Sequence, residues 1–131
     1  KVHSIMAKGK LVADEIEHGT EGALNTQYLI HGTAKALITF DPASDGTIHR
    51  SHNVSSLVDS NTGQFLINVT SAFKDLHSVI VSGNGDNAVH NAANNTNEEQ
   101  STTQYKHNHF ENNATVDCTD MNSAAFGDIL A

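Results

Sequence analysis

Apolar and polar residues alternate most clearly in the first half of this chain. Over Ala34–Phe40, Ala34, Ala36, Ile38 and Phe40 are apolar while Lys35 and Thr39 stand between them, the period of two of a half-buried strand. Phe65, Ile67 and Val69 repeat the pattern against Gln64, Asn68 and Thr70. Between the two runs, Asp59-Ser-Asn-Thr-Gly63 has the composition of a tight polar turn, with Gly63 free to take positive φ. Val54–Val58 and that turn therefore predict one arm and the tip of a hairpin. Ser78–Ser82 reads as a buried strand ending at Gly83-Asn-Gly85. Two closing strands are predicted near Gln104–Phe110 and Asn122–Ile129, with Glu111-Asn-Asn113 as their break and Val116–Thr119 as a further short strand.

Helical periodicity is weak. Leu11–Glu17 and Ser71–Leu76 are the best candidates, and each is under about two turns, too short to hold alone. Asn87–Thr103 is polar and rich in Asn, an exposed loop with room for one strand. The count of roughly six to eight short strands predicts an all-β fold, an antiparallel β-sandwich or jelly-roll-like domain. Residues 1–31 stand apart as a short N-terminal connector or stalk-proximal segment, and 32–131 form the domain. Asp14, Glu15, Glu17 and Glu21 cluster in the connector, interrupted by Gly19 and Gly22, which reads most simply as a solvated acidic turn.

Composition sharpens this. At 131 residues the chain is most simply one domain with a short attachment. It has no Trp and only 5% aromatic residues, so the large side chains that dominate core burial are scarce. A thin core in a chain of this size favours burial between subunits, and an oligomer is expected. The net charge of −8 argues against a nucleic-acid partner, which needs a basic face to neutralise phosphates. An anionic membrane surface would also repel it. The one cysteine, Cys118, excludes an intrachain disulfide framework and fits assembly in a reducing cytoplasm. No apolar run approaches the ~18–20 residues of a membrane span, and Lys1-Val-His-Ser opens without a signal-peptide core, so no membrane insertion is expected.

Three segments, in order, carry a resemblance: Gly32-Thr-Ala-Lys-Ala-Leu-Ile-Thr-Phe-Asp41, Asn53-Val-Ser-Ser-Leu-Val-Asp-Ser-Asn-Thr-Gly63 and Gln64-Phe-Leu-Ile-Asn-Val-Thr70. Together they resemble a repeated signature of bacteriophage tail-fibre and related virion appendage domains. The closing Ala124-Ala-Phe-Gly-Asp128 is similar to that family's terminal strand. Leu37 stands where the family usually has Trp, and His49 and His52 are unusual in the segment leading to Asn53. The resemblance implies an all-β homotrimer at the distal end of a fibre, located in the virion, assembled in the host cytoplasm and extracellular after release. Its implied partners are further copies of itself, other virion proteins, and a host-surface glycan or outer-membrane protein met through the Asn-rich loops. It carries over no catalytic residues, so no enzyme is expected. The alternatives are a purely structural virion module (capsid decoration or fibre trimerisation) and a non-viral extracellular glycan-binding module.

Nine histidines are the compositional oddity. His107-Asn-His109 lies between Tyr105 and Phe110, and on a strand residues 105, 107 and 109 share one face. In a trimer, three such pairs would offer six imidazole nitrogens to an axial transition metal, the one cofactor candidate. An ordinary polar strand face is the default, because nine histidines in 131 residues make one His-x-His pair unsurprising. His49-Arg-Ser-His52 lies on an extended segment, where its imidazoles point to opposite faces and form no metal site. Histidines titrating between about pH 5 and 7 also suggest a pH-sensitive trimer interface, with solvated side chains as the plain reading. Sequons at Asn53, Asn68, Asn94 and Asn113 are largely accounted for by composition, and Asn68 falls in a strand, so glycosylation is discounted. Asp117 with Asp120, and Asp41 with Asp45, are candidate carboxylate pairs for a hydrolase, but acidic turns are the default. There is no Gly-x-Ser-x-Gly elbow, and Lys8-Gly9-Lys10 lacks the rest of a phosphate loop.

Overall fold

The computed structural model describes residues 12–44, 46–84, 94–111 and 114–130. The chain divides into two compact units, Lys1–Gly32 and Thr33–Ala131. In the first, β1 (Glu15–His18) and β2 (Gly22–Asn25) form an antiparallel hairpin with Ile16 opposite Leu24, followed by a seven-residue helix α1 (Thr26–Gly32). His18 Nδ1 accepts the Glu21 amide at 3.2 Å and closes the hairpin turn. Asn25 Oδ1 accepts the Gln27 amide at 3.0 Å, an N-cap that starts the helix. The Thr26 hydroxyl donates to the carbonyl of Ala13 at 2.7 Å. None of the described side chains of this unit is buried.

The second unit is an all-β sandwich-like domain of two antiparallel sheets. Its strands are β3 (Ala36–Asp41), β4 (Thr47–His52), β5 (Val54–Asn61), β6 (Gln64–Val69), β7 (Val79–Asn84), β8 (Asn94–Ser101), β9 (Gln104–Glu111), β10 (Ala114–Thr115) and β11 (Met121–Phe126). One sheet runs β4-β3-β11-β7; the other runs β10-β9-β6-β5, with β8 also paired to β9. The alternation predicted for the first two strands is the alternation of burial. Ala36, Ile38 and Phe40 point inward from β3, and Phe65, Ile67 and Val69 from β6. Met121, Ser123 and Ala125 of β11 add to the first sheet's inner face, and Tyr105, His107 and His109 of β9 to the second's. The Phe40 and Phe65 rings meet between the sheets with centroids 4.9 Å apart and planes tilted by 59°. Such a pair contributes about 0.5–1.5 kcal/mol beyond its burial.

Outward faces carry polar ladders that help fix register. Asn68 Nδ2 donates to Ser56 Oγ at 2.9 Å, and Gln104 Nε2 donates to Asn68 Oδ1 at 2.7 Å, across β5, β6 and β9. The Asn68 amide is thus engaged at both ends within the sheet.

Several local expectations differ from the fold. The candidate helix at Leu11–Glu17 is strand from Glu15 onward, and Leu11 lies outside the described residues. Ser71–Leu76 is irregular because its backbone is committed elsewhere. The Phe73 amide donates to the Thr102 carbonyl, Lys74 to Asp128, and the Ala72 carbonyl accepts from Leu130. Helix α1 was not foreseen; seven residues show too little periodicity to register. The strand at 78–82 forms as β7 but is not buried, since Val79 is 62% and Val81 51% exposed. The last strand ends at Phe126, and Ile129 makes only a single bridge to Phe73. Val116–Thr119 is irregular, and the short strand lies just before it as β10. Within the Asn-rich loop, Asn94–Ser101 is strand β8, while residues 85–93, together with Asp45, Asn112, Asn113 and Lys8-Gly9-Lys10, lie outside the described residues.

Candidate functional site

Asn53 and Gly63 stand where the chain changes sheet and direction. β4 belongs to one sheet and β5 to the other, and Asn53 alone connects them. It has φ of 54°, a left-handed conformation that Asn tolerates better than most residues because its short polar side chain bonds locally. Asn53 Oδ1 accepts the Ser71 amide at 2.7 Å, and Nδ2 donates to the Ser71 carbonyl at 3.2 Å. The Asn53 carbonyl accepts from Thr70 at 3.2 Å. A single side chain therefore ties the sheet crossing to the segment that leaves β6.

Gly63 makes the second fixed point. It sits at the tip of the β5–β6 hairpin with φ of 64°. Its amide donates to Asp117 Oδ1 at 2.6 Å, and its carbonyl accepts from the His109 amide at 2.8 Å. A Cβ at this position would lie 2.5 Å from the Val116 carbonyl oxygen and 2.6 Å from its nitrogen. Conformation and packing both demand glycine here.

Tyr105, His107 and His109 do share one face of β9, and that face is the interior. Both histidines are fully buried. An axial site between subunits needs imidazoles on an outer face, and these two rings point between the sheets of their own domain. The alternation of Tyr105 with Lys106 was the available signal for this orientation. Neither ring nitrogen of His107 has a protein hydrogen-bond partner, and the ring stands edge-on to Phe40 at 6.3 Å. Burial first, and the neighbouring His109 second, lower the His107 pKa from the ordinary 6.5 to about 4. Tyr105 donates or accepts a 2.9 Å hydrogen bond with Ser123 Oγ across the core, and its pKa is raised by burial, with the Ser123 contact opposing the shift. Nothing in the sequence announced that cross-sheet bond. Among the described residues, no three His, Cys, Asp or Glu side chains converge as a metal centre requires.

The candidate carboxylates have separate structural contacts. Asp117 holds Gly63, while Asp120 lies 3.7 Å from the exposed imidazole of His49. Asp41 accepts the Ala43 amide at 2.9 Å and the Ser44 hydroxyl at 2.8 Å, which caps the short 3-10 turn Pro42–Ser44. His49 and His52 both lie on the exposed strand β4.

The outer face of the four-stranded sheet bears a trough of about 330 Å³ lined by Leu37, Thr39, Val81, Gly83, Asn122 and Ala124 among others. Its described lining residues carry no charge and include the polar Thr39 and Asn122. Leu37 is one of its lining residues. Compared with known proteins, the chain matches no protein-family model, no curated protein and no solved structure.

Proposed function

We propose that this chain is a virion structural domain, at the distal end of a phage tail fibre or related appendage, that contacts the host surface. The reading rests on the three-segment signature spanning Gly32–Asp41 and Asn53–Thr70. It is supported by the architectural work those residues do. Asn53 makes the sheet crossing, Gly63 closes the hairpin against Asp117, and Ala36, Ile38, Phe40, Phe65, Ile67 and Val69 build the facing core. A signature concentrated on folding positions suits a scaffold whose surface is left to recognise a receptor.

Assembly as a homotrimer is part of the proposal. In the N-terminal unit Ile16, Leu24, Tyr28 and Ile30 are 41–63% exposed. A two-stranded hairpin and a seven-residue helix are marginal by themselves, so cover from neighbouring copies would stabilise them. The host-contact partner is a glycan or outer-membrane protein, and other virion proteins are further partners.

Adsorption of the labelled domain to a panel of bacterial strains tests the reading. Saturable binding to a subset of strains supports it. A solution trimer that adsorbs to none points to a decoration or trimerisation module, and glycan-array binding without bacterial adsorption points to an extracellular glycan-binding module.

A further inference from the structure

Position 107 is chemically at odds with its surroundings. The imidazole is fully buried and both nitrogens lack a protein partner. Phe40 of β3 presents its ring to the imidazole at 88°. In register, Phe65 of β6 and Asn97 of β8 flank His107 on either side of β9. Among the described residues, the titratable groups near it are few. On β9 they are His109, itself fully buried, and Tyr105, whose hydroxyl is bound to Ser123. On β8, Glu99 stands opposite Tyr105 in register. The buried positions of β3, β6 and β11 carry apolar side chains and Ser123, and the buried Cys118 thiol donates to the Asp120 carbonyl.

A neutral imidazole can be carried in such a place at the expense of its unmade hydrogen bonds. A protonated one brings two N–H donors and a full charge, which the apolar strands do not stabilise and which His109 opposes. We propose that His107 is an acid-operated release within the sandwich: proton uptake there drives the two sheets apart, so the fold holds at neutral pH and lets go in acid. The imidazolium reaches water only when β9 withdraws from the facing sheet. That movement breaks the edge contact with Phe40 and the Tyr105–Ser123 bond. The inference does not depend on the host-attachment reading.

The sign follows from the two proton affinities. The opened chain binds a proton with the ordinary histidine pKa near 6.5, whereas the closed sandwich resists until about 4. Stability is therefore complete above about 6.5 and is lost progressively as pH falls to about 4.

Urea unfolding of the full chain at pH 7.5 and pH 4.5, for the wild type and His107→Leu, tests this. Between the two pH values the wild-type folding constant should fall on the order of 50- to 100-fold more than the variant's. Equal falls in the two proteins would overturn the proposal. Should the variant not fold, histidine Cε1–H NMR of the wild type decides. The His107 signal should stay neutral until the native spectrum disappears; titration near pH 6.5 within an intact native spectrum refutes the device.

Discussion

The amide of Gly63 donates a 2.6 Å hydrogen bond to the carboxylate of Asp117, 54 residues further along the chain. It pins the tip of the β5–β6 hairpin to the segment that carries the chain from one sheet back to the other. Because the acceptor is a carboxylate, this bond is of the stronger kind. Asp117→Ala should cost about 1–3 kcal/mol in urea unfolding, and Asp117→Asn, which keeps an acceptor oxygen, less. Gly63→Ala should cost more, about 4 kcal/mol, since its Cβ would press into the Val116 backbone and its φ is positive. If Gly63→Ala proves as mild as Asp117→Asn, the tight fit at the hairpin tip is wrong.

Asn53 separates two contributions that usually travel together. Asn53→Gly keeps the left-handed backbone and loses the two bonds to Ser71, so it should destabilise by about 1–2 kcal/mol. Asn53→Ala also carries the strain of positive φ, an extra ~1 kcal/mol. Chemical denaturation of the pair reads the order directly; a more stable Ala variant would contradict a left-handed backbone at Asn53.

Tyr105 predicts sensitivity at the alkaline end. Burial raises its pKa above 10, so the folded protein keeps a proton that the unfolded chain gives up. Stability should therefore be unaffected by this group below about pH 10 and fall as pH rises beyond it. Tyr105→Phe should abolish that component while costing about 1 kcal/mol at pH 8, because it leaves the buried Ser123 hydroxyl without its partner. Stability measured at pH 8 and pH 11 for both proteins distinguishes the two effects.

Oligomeric mass is the check on assembly. Light scattering of residues 1–131 should give three chains, with the same mass in EDTA, since His107 and His109 are enclosed within each domain. A trimer that dissociates in EDTA would restore a metal-bridged arrangement, and a stable monomer would remove the trimer.

Core truncation offers a last measurement. Phe40 touches both Phe65 and His107 across the sandwich, so Phe40→Ala should cost about 3–5 kcal/mol. The loss should appear as a lower urea midpoint.

Periodicity made β3, β6 and the hairpin between them legible, along with the all-β class, because alternation follows directly from strand geometry. It also put Tyr105, His107 and His109 on one face. What it could not supply was which face of each strand the opposite sheet would cover. The polar His107 and His109 went inside, while the apolar Val79 and Val81 of β7 were left exposed. Nor could local pattern reveal bonds between distant segments, such as Gly63 with Asp117 or Tyr105 with Ser123, or show that Ser71–Leu76 spends its backbone on residues 102, 128 and 130. Strand periodicity is a property of neighbouring residues and was readable from the chain alone. Burial and long-range hydrogen bonding depend on which sheet lies opposite, and only the tertiary structure decided that.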